Sequence, residues 1–196
     1  MTWLIAASVG CCSLFLFRLL LRKRITIDGK TVLITGASSG LGEALARRLF
    51  DRQCQLILLA RRIDRLEKLR QELMNLHPTY PEPKIVQIDL ANYENITSSI
   101  LMNLLEHESI DCLINNAGIT QRSSVFETSM DTVNEIFRLN YFALVTLTRL
   151  IIRKMIENKQ KNATIVNISS LQGLIAVPDR SSYSASKHAV QAFSDS

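Results

Sequence analysis

The run Tyr183-Ser184-Ala185-Ser186-Lys187 sets a phenol and an amine four residues apart. On a helix that spacing brings both side chains to one face. An ammonium beside a phenol favours the phenolate and draws a tyrosine below its usual pKa of about 10. A phenol so tuned trades protons near neutral pH, the work of a general acid or base. Ser170 precedes Tyr183 by thirteen residues and offers a hydroxyl for hydrogen bonding. Tyr and Lys at this spacing also arise by chance on solvated helices. Their weight comes from a second feature far upstream.

That feature is Thr35-Gly36-Ala37-Ser38-Ser39-Gly40-Leu41-Gly42. It joins an apolar, strand-like run, Thr31 to Thr35, to an amphipathic run from about Leu41 to Asp51. A sharp turn there needs glycine, and so does close approach of backbone to a ligand. The N-terminus of the following helix offers unpaired N–H groups and a positive dipole end to a pyrophosphate. In this strand–turn–helix setting the pattern predicts a dinucleotide site. At the end of the second strand stands Ala60-Arg61-Arg62, with no carboxylate. A carboxylate there would bind the adenosine ribose and repel a 2′-phosphate. Arginine offers a fork of donors matched to phosphate. The expectation is NADP(H) in preference to NAD(H). The plainer reading is that Arg61 and Arg62 solvate the start of a helix.

The elements that must hold these groups alternate along the chain. Strands are expected at Thr31–Thr35, Gln55–Ala60, Lys84–Ile88, Asp111–Ile114 and Ala163–Ser169. Between them lie helices from about Leu41 to Asp51, from an Asp64 N-cap to Leu76, and from Tyr93 to Glu106. A long helix from about Met130 to Asn158 follows a polar loop. A last helix carries Tyr183 and Lys187. Such alternation implies right-handed βαβ units and a parallel sheet covered on both faces.

The pattern Thr-Gly-x-x-x-Gly-x-Gly resembles the short-chain dehydrogenase/reductase family, from about Thr31 to the end of the chain. Asp89-Leu90 after strand three matches the family's aspartate near the adenine. Asn115-Asn116-Ala117-Gly118 after strand four matches the stretch that steadies the sheet and lines the cofactor cleft. Asn140 and the Ser170–Tyr183 spacing also match. Residues 1–24 and the stretch Asn115 to Ser123 look similar to the family's membrane-anchored dehydrogenase/reductase member 7 group.

The resemblance implies an α/β Rossmann-type doubly wound sheet of order 3-2-1-4-5, with strand five as an edge. It implies hydride transfer between the cofactor and a carbonyl or alcohol. Tyr183 would give the proton, Ser170 would orient the oxygen, Lys187 would tune Tyr183 and bind ribose hydroxyls, and Asn140 would hold a water. Cofactor contacts are expected from Thr35, Gly36, Ser38, Ser39, Gly40, Leu41, Gly42, Arg61, Arg62, Asp89, Leu90, Asn116, Ala117, Gly118, Tyr183 and Lys187. Taken singly, Ser170 reads as a turn cap and Asn140 as a polar residue satisfied within packed helices.

The chain of 196 residues is 47% hydrophobic, enough for one core plus a short extra segment. Its net charge of +5 gathers partly in Arg18, Arg22, Lys23 and Arg24. No basic run is interleaved with aromatics, which argues against nucleic-acid binding. Cys11, Cys12, Cys54 and Cys112 form no metal-ligand spacing and no disulfide framework. From Trp3 to Leu21 the chain is almost wholly apolar, about the length that spans a bilayer. The basic cluster that follows would hold the C-terminal side in the cytoplasm. The expectation is a single-pass anchor over residues 1–24, in the endoplasmic reticulum membrane, followed by a dinucleotide-binding domain over 25–196. A site beside the membrane would suit a lipophilic carbonyl or alcohol, and the long helix offers a face for a homodimer. Ser196 falls nine residues after Lys187, short of the family's last strands and substrate loop. Three readings follow: an oxidoreductase recorded incompletely, an inactive form that still binds cofactor, or a membrane-tethered interaction protein.

Overall fold

The computed structural model describes residues 26–96 and 99–196. Five parallel strands form one sheet in the order β3-β2-β1-β4-β5, the order expected. They are β1 (Thr31–Thr35), β2 (Gln55–Ala60), β3 (Lys84–Gln87), β4 (Cys112–Asn115) and β5 (Thr164–Asn167). Every residue of β1 and β4 is buried, because helices cover both faces of the central strands. Register places Thr31 beside Gln55 and Val32 beside Cys112.

Alternation along each strand divides the core in two. Val32, Ile34, Leu56 and Leu58 face α1 (Gly40–Phe50) and α2 (Ile63–Leu76). Phe50 closes that layer with no exposed surface. A side chain of this kind contributes about 1.5–3 kcal/mol on burial. Leu33, Ile57, Leu59 and Leu113 face the other way, against α3 (Ser99–His107) and α5 (Leu144–Glu157). α4 (Met130–Phe137) leads into α5 through a π-helical turn, Arg138–Ala143. α6 (Ser181–Asp195) packs across that turn and against α4.

Several boundaries differ from those the sequence suggests. α2 starts at Ile63, and Arg62 takes the cap position with extended backbone (φ −91°, ψ 91°). Asp64 therefore lies inside the first turn, where its carboxylate meets the positive end of the helix dipole. The helix expected from Tyr93 is a 3₁₀ turn, Tyr93–Asn95, followed separately by α3. The long helix is interrupted by the π turn, an interruption that often marks a functional site. Strands β3, β4 and β5 differ from their expected bounds at one end or both.

Cys54 and Cys112 are buried free thiols. Burial pushes both thiols up, Cys112 to about 11, which disfavours the thiolate form. Among the described residues no helix is long and apolar enough to cross a membrane, and no side-chain group could hold a metal ion. The apolar segment expected as an anchor, with Cys11 and Cys12, lies outside the described residues.

Candidate active site

The site begins where β1 gives way to α1. Thr35 Oγ1 accepts from the backbone N–H groups of Asn116 (2.9 Å) and Ala117 (3.0 Å). It thus ties the end of β1 to the end of β4. Gly36 has φ +68°, a left-handed conformation, and a Cβ there would lie 2.9 Å from Ala117 Cα. Gly42 sits closer still: a Cβ would stand 2.5 Å from both Gly36 O and Asn116 Nδ2. Asn116 Nδ2 donates to Thr35 O at 2.9 Å, so turn, helix and strand end form one rigid unit.

Ser39 caps α1 by position, but its side chain makes no capping bond. Its Oγ instead accepts from Arg62 Nη2 at 2.8 Å, and Ser38 Oγ accepts from the same nitrogen at 3.1 Å. A guanidinium, two hydroxyls and a helix N-terminus thereby converge at one mouth, a donor set suited to phosphate.

From there an open cleft of about 280 Å³ runs along the carboxyl ends of the strands. Its walls include Gly36, Ser38, Ser39, Leu41, Arg61, Arg62, Asp89, Leu90, Asn116, Ala117 and Gly118, all expected from sequence. Ala60, Ile88, Ile119 and Leu139 complete it. Thr35, Gly40, Gly42, Tyr183 and Lys187, also expected to touch the cofactor, are not in the wall. Thr35 and Gly42 shape the cleft through packing. Asp89 accepts from the backbone N–H of Ala91 at 3.1 Å, forming a tight turn on the wall beyond β3.

Of the expected catalytic residues, Asn140 and Lys187 meet at Gly118. A Cβ at Gly118 would lie 3.2 Å from Asn140 Oδ1 and 3.7 Å from Lys187 Nζ. Lys187 is only 5% exposed, and burial pushes its pKa down. Its Nζ donates to Ile168 O at 2.8 Å and stands 5.9 Å from the centre of the Tyr183 ring. Tyr183 is half-buried, and its hydroxyl makes no hydrogen bond among the described residues. Ser170 Oγ accepts from Gln172 N at 3.2 Å, capping a 3₁₀ turn, Leu171–Gly173, as the plainer reading expects. Ser169 is turned away, with Oγ 3.5 Å from Lys187 O.

Asn140 is 1% exposed and bonded to protein through both its amide nitrogen and its amide oxygen. Oδ1 accepts from Ile119 N at 2.9 Å, and Nδ2 donates to Ile119 O at 2.9 Å and to Ser186 Oγ at 3.0 Å. Ser186 in turn donates to Tyr183 O at 2.7 Å. Asn140 therefore ties the cleft wall to the helix of Tyr183 and Lys187. Sequence reasoning missed Ser186 and Ile119. Ser186 sits one turn from Tyr183 on the buried side of α6, a hint the sequence did carry. Ile119 acts through its main chain, which no residue type announces.

Fold and site together define a Rossmann-type α/β protein with a phosphate-suited turn at one end of its cleft. The family model described as short chain dehydrogenase matches residues 30–196, and the chain belongs to this family. A dehydrogenase/reductase SDR family protein 7-like of Anopheles gambiae is 47% identical over 172 residues, 87% of this chain and 54% of that relative. The chain thus spans about half the length of such curated relatives. Among solved structures, a short chain dehydrogenase/reductase from Burkholderia phymatum in complex with NAD aligns with TM-score 0.79 and 28% identity, over 87% of this chain and 59% of that one. A metagenomic short-chain oxidoreductase in complex with NADP aligns with TM-score 0.76 and 28% identity, over 86% and 74%.

Proposed function

We propose that this domain binds NADP(H) and catalyses transfer of a hydride between it and a carbonyl or alcohol of a lipophilic small molecule. The observation that carries this reading is the placement of Lys187 and Asn140 against Gly118, where the cleft ends. The residues present fit the cofactor. The turn, Ser38, Ser39 and Arg62 would hold phosphate, and the lack of a carboxylate at Ala60-Arg61 favours the 2′-phosphorylated form.

A bound nicotinamide would supply or take up the hydride; the chain's own residues handle the rest. As negative charge grows on the carbonyl oxygen, Tyr183 donates a proton from a hydroxyl that no group among the described residues competes for. Ser170 Oγ serves as acceptor toward Gln172, which leaves its hydrogen free for the same oxygen. Lys187 spends one of three N–H donors on Ile168 O and keeps two for ribose hydroxyls. Asn140 retains one carbonyl lone pair, the site at which it would hold a water. Oxidation runs the same path in reverse.

Support for a lipophilic substrate comes from the loop after Ser170. Leu171, Leu174 and Ile175 are each more than 60% exposed, and they follow the hydroxyl expected to meet the reacting oxygen. Residues 1–24 are read as a membrane anchor from their sequence, with the domain in the cytoplasm; extraction at alkaline pH, which leaves a spanning segment in the pellet, tests that.

The cofactor reading is tested by titrating NADPH and NADH into the parent chain and Arg62→Ala. NADPH should bind more tightly to the parent, and the substitution should cost about tenfold in its affinity, the loss expected for charge-assisted hydrogen bonds, with NADH little changed. Equal loss for both nucleotides would refute the assignment of Arg62.

A further inference from the structure

Three consecutive residues of the π turn reach three parts of the site. Leu139 lines the cleft, and Asn140 holds Ile119 and Ser186. Arg138 reaches the opposite way, to the segment just beyond Asp89 and Leu90. Its Nε donates to Ala91 O at 3.1 Å. Its Nη2 donates to both carboxylate oxygens of Glu94, at 2.8 and 2.9 Å. The guanidinium lies 5.2 Å above the Tyr93 ring, and Tyr93 packs on Phe142 of the same π turn at 5.3 Å. The Asp89–Ala91 turn is therefore closed from within by Asp89 and braced from behind by Arg138.

We propose that Arg138 is a positioning residue: it braces the Asp89–Leu90 wall where the cofactor's adenine would lie, and links that wall to the turn carrying Asn140. The inference rests on the cofactor reading above. The ion pair with Glu94 is half exposed and alone contributes little. What distinguishes Arg138 is one planar fork shared among a carbonyl, a carboxylate and a ring, which lysine cannot reproduce. An unbraced wall would yield under the adenine half of the cofactor and leave the nicotinamide end unaffected.

Two probes separate the halves: adenosine 2′,5′-bisphosphate for the adenine end and reduced nicotinamide mononucleotide for the other. Each is titrated by calorimetry into the parent chain, Arg138→Met and Arg138→Lys. Both variants should bind the bisphosphate about threefold to tenfold more weakly, the worth of one backbone hydrogen bond plus an exposed pair. The mononucleotide affinity should stay within about twofold. A merely structural role would weaken both probes alike, and that result overturns the proposal. So does unchanged bisphosphate binding by the variants. If Arg138→Met does not fold, Arg138→Lys, which keeps charge and length, decides the matter. A parent that binds neither probe overturns the cofactor reading and this one together; a parent that binds both leaves the variants to judge Arg138 alone.

Discussion

Gly42→Ala sets two opposing effects against each other inside one residue. Gly42 lies in the first turn of α1. In a helix, alanine is better than glycine by about 0.8–1.0 kcal/mol. Against this, the new methyl would stand 2.5 Å from Gly36 O and 2.5 Å from Asn116 Nδ2, and 3.0 Å from Gly36 C. Neither neighbour gives way cheaply. Gly36 O belongs to the backbone of the turn, and Asn116 Nδ2 is held by Thr35 O at 2.9 Å. Overpacking of this kind costs about 1–3 kcal/mol, and losing the Asn116 bond adds about 1 kcal/mol. The clash wins, with a net loss of about 1–3 kcal/mol. Because α1 must back away from the turn, NADPH affinity falls too. Gly40→Ala is the control: φ is +57° and nothing lies within 4 Å, so only backbone strain of about 1–2 kcal/mol applies. Urea denaturation gives the stabilities and NADPH titration gives the binding. A Gly42→Ala chain as stable as the parent, or more so, would refute the claim that contact at this glycine sets the turn.

Tyr183→Phe should abolish turnover while changing stability by less than about 0.5 kcal/mol, since the hydroxyl has no protein partner among the described residues; undiminished carbonyl reduction would end its role as proton donor. Asn140→Ala strips partners from the Ile119 N–H, the Ile119 carbonyl and the Ser186 hydroxyl, and should cost about 2–4 kcal/mol in denaturation. A loss of activity with native stability would show that Asn140 acts chemically and does not tie the wall to α6. Lys187 carries a pH signature. Burial lowers its folded pKa below the usual 10.5, so the folded chain binds fewer protons between the two values. The cost of burying the charge is full below the folded value and is relieved as pH rises toward 10.5. The stability of the parent relative to Lys187→Met should therefore climb with pH through that window. A difference that stays flat or falls would contradict it.

A doubly covered parallel sheet was legible because β1, β2 and β4 are short apolar runs that only such a sheet can bury, while its strand order came from the resemblance. Part of the cleft was legible from residue types, as with Gly36 in the turn, while Asn116 came from the resemblance. The π turn left no mark, because Ile136, Asn140, Ala143 and Leu147 keep a spacing that an ordinary helix would also satisfy. Nothing in the sequence singled out Arg138, because its partners Ala91 and Glu94 lie more than forty residues away. Asp64 misled because a good capping side chain was offset by backbone that turns helical at Ile63. Asn140 combines both cases: it was found by resemblance, while its main-chain partner shows only in three dimensions.

Thr26–Lys30 meets the domain beneath the sheet. Gly29 N donates to Arg52 O and the Cys54 thiol donates to Ile27 O, all at the amino ends of the strands. The proposed chemistry happens at the carboxyl ends, a full strand length above, or about 16 Å for the five residues of β1. If residues 1–24 tether the chain to a bilayer, an upright domain would carry its mouth toward open water. Only a domain lying on its flank would let a greasy molecule pass from lipid to Tyr183 without crossing solvent. Lengthening the tether after Arg24 would then change access for membrane-dissolved substrates and leave water-soluble ones untouched.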